Sequence, residues 1–176
     1  MNRNNDDMKT YVITLSKVFP QIHPERGKET HFNTYFQNAR MCVKCHETKH
    51  GMCMGECAIG GAKLHTIRAN YGLWATRFEQ IAAGEACLSV RQWSGAPYRS
   101  KQVEIARLTC KDGIGLQMLS FAPSYSLTTP FVGTRRLERE TLAANDGLST
   151  KDWENWFYHY DLTKPLAIIH FTKFRY

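Results

Sequence analysis

The residues best suited to chemistry lie in Gly61-Ala62-Lys63-Leu64-His65-Thr66-Ile67-Arg68, where a Lys, a Thr and an Arg follow a glycine pair at short, fixed spacing. An ammonium, a hydroxyl and a guanidinium fork are donors only or mostly donors, so they suit phosphate, carbonyl or carboxylate oxygens. If the segment runs extended, Leu64, Thr66 and Arg68 share one face and Lys63, His65 and Ile67 the other. Neither face is cleanly apolar, so the segment is expected to line a cleft. His65 is a structural histidine or a further ligand contact, and Arg68 precedes an expected helix N-terminus that favours anions.

A second cluster precedes it. Cys42-x2-Cys45-His46 and Cys53-x3-Cys57, with His50 between them, put four thiols and two imidazoles in one short stretch. Two Cys turns facing each other can close a tetrahedral zinc site with Zn–S bonds of about 2.3 Å. The ligand set expected for Zn2+ is Cys42, Cys45, Cys53 and Cys57, with His50 or His46 as the alternative to one thiol. An iron–sulfur cluster uses the same ligand count. Disulfides are the competing reading, disfavoured because no export signal is seen and a reducing compartment is expected. The pattern resembles a retroviral zinc knuckle at Cys42, Cys45 and His50, but Gly55 stands at the fourth ligand position. Residues 41–58 are therefore read as a zinc-binding insertion that clamps a loop, rather than as a cleft wall presenting Lys44, Lys49 and His50. Cys87 and Cys110 are expected as inert core residues.

The elements that would position these groups follow from periodicity and turn chemistry. Tyr11 to Ser16 reads as a first strand, and Thr30 to Arg40 as a short helix. Asn70 caps a helix over Tyr71 to Ala83, with Leu73, Trp74, Phe78 and Ile81 toward the core and Gly84 as its stop. Ala86 to Trp93, Lys101 to Thr109 and Ile114 to Phe121 form a meander with a turn at Asp112-Gly113. Arg135 to Asn145 reads as a helix stopped near Gly147. Ser149 to Asp152 resembles a capping box opening a helix through Tyr160, and Leu166 to Phe174 supplies a closing strand.

The spacing Gly61-x-Lys63-x-x-Thr66-x-Arg68 resembles the signature of the ASCH domain, a PUA-like β-barrel family associated with RNA and modified nucleosides. The resemblance continues through Ala69-Asn70-Tyr71, through 88–105 with Arg91, Trp93, Tyr98 and Glu104, and through Ile168 to Phe171, as in phage- and Bacteroidetes-type ASCH-like proteins. It implies an α+β fold, a PUA-like mixed barrel with flanking helices; the length fits a single domain over residues 1–176, and the zinc loop is an insertion that the resemblance does not supply. It also implies a ligand cleft formed by Lys63, His65, Thr66 and Arg68. By their own chemistry Arg91, Trp93 and Tyr98 form a basic and aromatic patch suited to stacking on a base, the competing reading being a Trp that covers the barrel end. In ASCH-fold amidohydrolases that deacetylate acetylated cytidine, catalysis is attributed to a Lys, a Thr and a Glu; carried over, these are Lys63, Thr66 and Glu104.

At 176 residues the chain can bury a core without oligomerising, and a monomer is expected. A net charge of +7 favours contact with polyanions. No apolar run reaches the length of a membrane span, so a cytoplasmic protein is expected. No P-loop, dinucleotide fingerprint or nucleophile elbow is present. The reading is a binding module for RNA or a modified nucleoside. The alternatives are an amidohydrolase on acylated nucleosides or a ribonuclease using the same cleft, and a phage accessory protein acting on a host protein.

Overall fold

The computed structural model describes residues 8–42, 61–122 and 129–176. The fold is α+β, with two separate sheets and four α-helices among the described residues rather than one closed barrel. In the first sheet β1 (Lys9–Thr14) runs parallel to β3 (Ala86–Trp93), which pairs antiparallel with β4 (Gln102–Leu108). The second sheet has the order β2 (His65–Arg68), β8 (Leu166–His170), β5 (Gly115–Phe121), β6 (Pro130–Val132) and β7 (Arg135–Arg136), all antiparallel. The helices are α1 (Phe32–Met41), α2 (Tyr71–Ala82), α3 (Arg139–Asn145) and α4 (Thr150–Phe157). Among the described residues no helix is long and apolar enough to cross a membrane.

Local chemistry accounts for the elements near the site. Asn70 caps α2 by accepting from the Leu73 N–H at 3.2 Å. Trp74 and Ile81 are buried and Phe78 packs on the core, whereas Leu73 faces outward, because positions 74, 78 and 81 already fill the inward stripe. Ser149 caps α4 through the Asp152 N–H at 3.1 Å. That helix ends at Phe157, short of Tyr160, and α3 starts only at Arg139 because Arg135–Arg136 instead form an edge strand with Phe131 and Val132. β8 ends at His170, and its five residues, the apolar Leu166 to Ile169 and then His170, are all buried between β2 and β5.

One buried cluster joins both sheets and all four helices: Ile13, Leu88 and Val90 from the first sheet, Ile67, Leu119 and Ile168 from the second, and Phe36, Trp74, Leu142 and Trp153 from the helices. Phe36 on α1 meets Phe171 edge-on at 5.0 Å between ring centroids. Cys87 has no exposed surface, its Sγ lying 3.6 Å from Thr10 Oγ1 and 3.5 Å from the Arg107 guanidinium, but Cys110 lies exposed in a 3-10 turn, where Thr109 and Asp112 form a capping box. The turn and not the strand claims Cys110, which corrects its expected burial.

Candidate functional site

Lys63 enters the site just before β2 begins. Its N–H donates to the Tyr35 carbonyl on α1 at 2.9 Å, and the next N–H, of Leu64, donates to the Asn145 carbonyl at the end of α3 at 2.8 Å. These two bonds tie the approach to β2 to two helices. Because Lys63 precedes the paired strand, strand alternation does not govern it. Its side chain lines the same pocket as Thr66 and Arg68, while Leu64 packs with Ala39, Ala62 and Phe174 instead.

The Lys63 side chain is buried, and Nζ donates to both the backbone carbonyl and Oδ1 of Asp146, each at 2.5 Å. Nζ also lies 4.0 Å from the centroid of the Phe32 ring. Asp146 reaches this position through the way α3 stops. The Leu148 N–H bonds to Ala143 O and the Gly147 N–H to Ala144 O, both at 3.0 Å, a Schellman closure with Asp146 as C-cap. Gly147 has φ 77°, which an L side chain rarely adopts, and a Cβ there would also meet Lys63 Cβ at 3.4 Å and a Tyr35 ring atom at 3.3 Å. The closure leaves the Asp146 carbonyl for the ammonium.

Burial and charge oppose each other in this pair. Burial pushes the Lys63 ammonium below its ordinary range and the Asp146 carboxyl above its own, while their mutual attraction works against both shifts. The pair therefore shares one proton between Nζ and Oδ1, with Arg68 favouring the carboxylate. Burial thus makes Lys63 a better proton acceptor than an exposed lysine.

Arg68, half-buried, fixes the next residue. Its guanidinium donates to Thr66 Oγ1 at 2.8 Å, to the Ile67 carbonyl at 2.9 Å and to the Thr14 carbonyl at the end of β1 at 2.9 Å. The last bond links the two sheets. Thr66 Oγ1 thus accepts from a cation, and its own proton has no acceptor among the described residues. The hydroxyl is available to a ligand, and the guanidinium steadies negative charge on its oxygen.

Lys63, Thr66, Arg68 and Asp146 converge on one pocket of about 250 Å³. Its remaining walls are Thr14, Leu15 and Ser16 from the β1 end, Phe32, Leu148, and the aromatics Trp156, Phe157 and Tyr160. Tyr160 also lines two wider neighbouring cavities of about 480 and 630 Å³. With all groups ionised the pocket carries two cations against one carboxylate.

The other residues singled out from the sequence lie elsewhere. Glu104, on β4, accepts from Ser89 Oγ and, at 3.2 Å, from Arg107 Nε and a second Arg107 nitrogen. The Ser89 hydrogen bond, with Arg107 beside it, holds its carboxyl below the usual range, so Glu104 is a fixed anion outside the pocket. Arg91 donates to Ser89 at 2.9 Å, half-buried Trp93 packs on exposed Tyr98 at 5.3 Å, and none of the three lines the pocket. His65 is fully buried behind Lys63 and Thr66 and contacts Tyr176. Of the metal-ligand set only Cys42 falls among the described residues; Cys45, His46, His50, Cys53 and Cys57 lie outside them. Among the described residues no group of three metal-ligating side chains comes together.

Sequence reasoning missed Asp146, Trp156 and Tyr160. A signal for Asp146 was present: an Asp directly before a helix-stopping Gly faces the negative end of the helix and calls for a cation. Compared with known proteins, the chain matches no family model, no curated protein and no solved structure.

Proposed function

We propose that the chain is an ASCH-type, PUA-like module that takes a nucleobase, free or in RNA, into the pocket formed by Lys63, Thr66, Arg68 and Asp146. The observation that carries this reading is the convergence of those four groups on one small cavity walled by Trp156, Phe157 and Tyr160. The volume lies below the range of about 300–1,000 Å³ usual for drug-sized ligands, so it suits a planar base better than a whole nucleotide. Thr66 and Arg68 supply donors for base carbonyls, Asp146 accepts from an exocyclic amine, and the aromatic walls stack. Sugar and phosphate would occupy the wider cavities beyond Tyr160. Beside this site, the Cys42, Cys45, Cys53 and Cys57 set is proposed to hold a structural Zn2+.

A specific observation favours a second reading, an amidohydrolase on an acylated base. Asp146 contacts Lys63 and lines the same pocket as Thr66, so it, and not Glu104, is the carboxylate this reading uses. The Lys63 amine would take the Thr66 proton while Oγ1 adds to the acyl carbon. The C–N bond then breaks as that proton passes to the leaving nitrogen, and water cleaves the Thr ester to release the acid.

Titration with cytidine, uridine and N4-acetylcytidine, and with short RNAs, separates these readings. Base recognition predicts a preference among nucleosides that survives added salt and drops about tenfold or more in Thr66→Val, since the hydroxyl's hydrogen bond is lost. Equal, salt-sensitive binding of every ligand sinks it. Release of acetate by the wild type, abolished in Lys63→Arg because guanidinium holds its proton, decides for the enzyme.

A further inference from the structure

Behind the Lys63–Asp146 pair lies a second buried polar array that the pocket chemistry does not use. His65 and His170 are cross-strand partners in β2 and β8, both fully buried, with ring centroids 5.6 Å apart. His65 Nε2 lies 2.7 Å from the Tyr176 hydroxyl, and the Asn145 side-chain amide donates to that same hydroxyl at 3.0 Å. His65 Nδ1 has no hydrogen-bond partner among the described residues, and it lies 4.0 Å from Asp146 Oδ1.

Proton accounting fixes the direction of this chain. The Tyr176 oxygen receives the Asn145 N–H, and its own proton needs an acceptor because the hydroxyl is buried. Among the described residues His65 Nε2, at 2.7 Å, is placed to accept it. A neutral imidazole that accepts at Nε2 carries its proton on Nδ1. Burial keeps His65 neutral, with Lys63 acting in the same sense, and burial pushes the Tyr176 hydroxyl up so that it keeps its proton.

We infer that Tyr176 and His65 form a positioning relay for Asp146, in which Tyr176 fixes His65 as the Nδ1–H tautomer and so aims an N–H at the Asp146 carboxylate. The gap of 4.0 Å exceeds a hydrogen bond, and a closing movement of about 1 Å brings it within range. The relay biases the shared proton: an N–H beside Oδ1 favours the carboxylate and hence the ammonium form of Lys63. The groups facing His65 are Lys63 and Asp146 on the pocket side, His170 from β8, Tyr176 after it, and Asn145 at the end of α3. Arg175 acts on His170 rather than on His65 directly. His65 and Tyr176 are positioning residues, since neither lines the pocket. Their importance to the pocket chemistry rests on the function proposed above, but the tautomer does not.

The test is long-range proton–nitrogen correlation NMR on the full chain at neutral pH, with no ligand added. His65 is expected as a single Nδ1-protonated tautomer with a bare Nε2. In Tyr176→Phe, which keeps the ring and removes the hydroxyl, Nε2 loses its donor and the tautomer is expected to shift toward Nε2–H. The Asp146 side-chain carbon, followed by pH titration, is expected to change at higher pH in Tyr176→Phe and in His65→Phe than in the wild type. An Nε2–H tautomer in the wild type, a tautomer unchanged by Tyr176→Phe, or an Asp146 midpoint equal in all three proteins overturns the relay. A protein with the assigned tautomer that binds no nucleoside supports the relay and counts against the nucleobase reading, so the two can fail separately.

Discussion

Lys63→Met is the most informative single perturbation, because Met keeps most of the side-chain length and removes only the amine. In the wild type that amine donates to two Asp146 oxygens at 2.5 Å, and both side chains are nearly inaccessible. Breaking a buried pair from one side leaves an uncompensated group and costs about 3–5 kcal/mol. The nearby Arg68 cation, which also favours the Asp146 carboxylate, places the expected loss near the lower end, about 3 kcal/mol at pH 8. With a urea slope of about 2 kcal/mol/M this moves the unfolding midpoint by about 1.5 M. The loss must depend on pH. Without its partner Asp146 has a folded pKa raised further above the unfolded value, so the folded variant binds the extra proton at acid pH and is penalised as pH rises. The difference between variant and wild type should therefore shrink between pH 8 and pH 5. Combining Lys63→Met with Asp146→Leu should cost less than the sum of the two single changes. Urea unfolding at both pH values reads all of this. A loss below about 1 kcal/mol, the same at both pH values, would show that the pair behaves like a solvated surface contact, and the pocket electrostatics would fall with it.

Acid sensitivity should arise from His65 and His170, whose folded pKa values burial depresses well below the ordinary value, so that the unfolded chain alone takes up their protons below about pH 6.5. Two protons correspond to a slope of up to about 2.7 kcal/mol per pH unit, reduced where Asp146 takes up its own proton in the folded state. Thermal unfolding between pH 7 and 5 measures it, and a flat profile would contradict the burial. Glu104→Gln should leave nucleoside affinity and any turnover unchanged, since its partners are Ser89 and Arg107; a tenfold loss in either would bring β4 back into the site. Protein isolated without chelator should carry about one zinc per chain, and metal analysis finding none, with all four Cys42, Cys45, Cys53 and Cys57 thiols alkylated in the folded state, would exclude the zinc loop.

How far the sequence could be read depended on whether the deciding interaction was local. Asn70 and Ser149 announce their helices because a cap bonds to an N–H within three residues. Thr66 and Arg68 announce their shared side because strand alternation is a local rule, and the hydrogen bond between them spans two residues. Lys63 escapes that rule: it precedes the strand and is placed by bonds to Tyr35 and, through Leu64, to Asn145. Asp146 lies 83 residues from Lys63, so only the fold can pair them, yet Gly147 fixed where its helix would stop. Glu104 shows the converse. Its place in a strand was legible, but the sheet to which that strand belongs was not, and the neighbouring Ser89 and Arg107 made it a structural anion. The capping box at Ser149 read as a helix through Tyr160; Trp156 lies in that helix, but it stops at Phe157 and Tyr160, beyond its end, becomes part of the pocket wall. The chemistry of a carboxylate therefore follows from its surroundings: Asp146 shares a proton with Lys63 because both are buried and in contact, whereas Glu104 lies outside that pocket, held as an anion by Ser89 and then by Arg107.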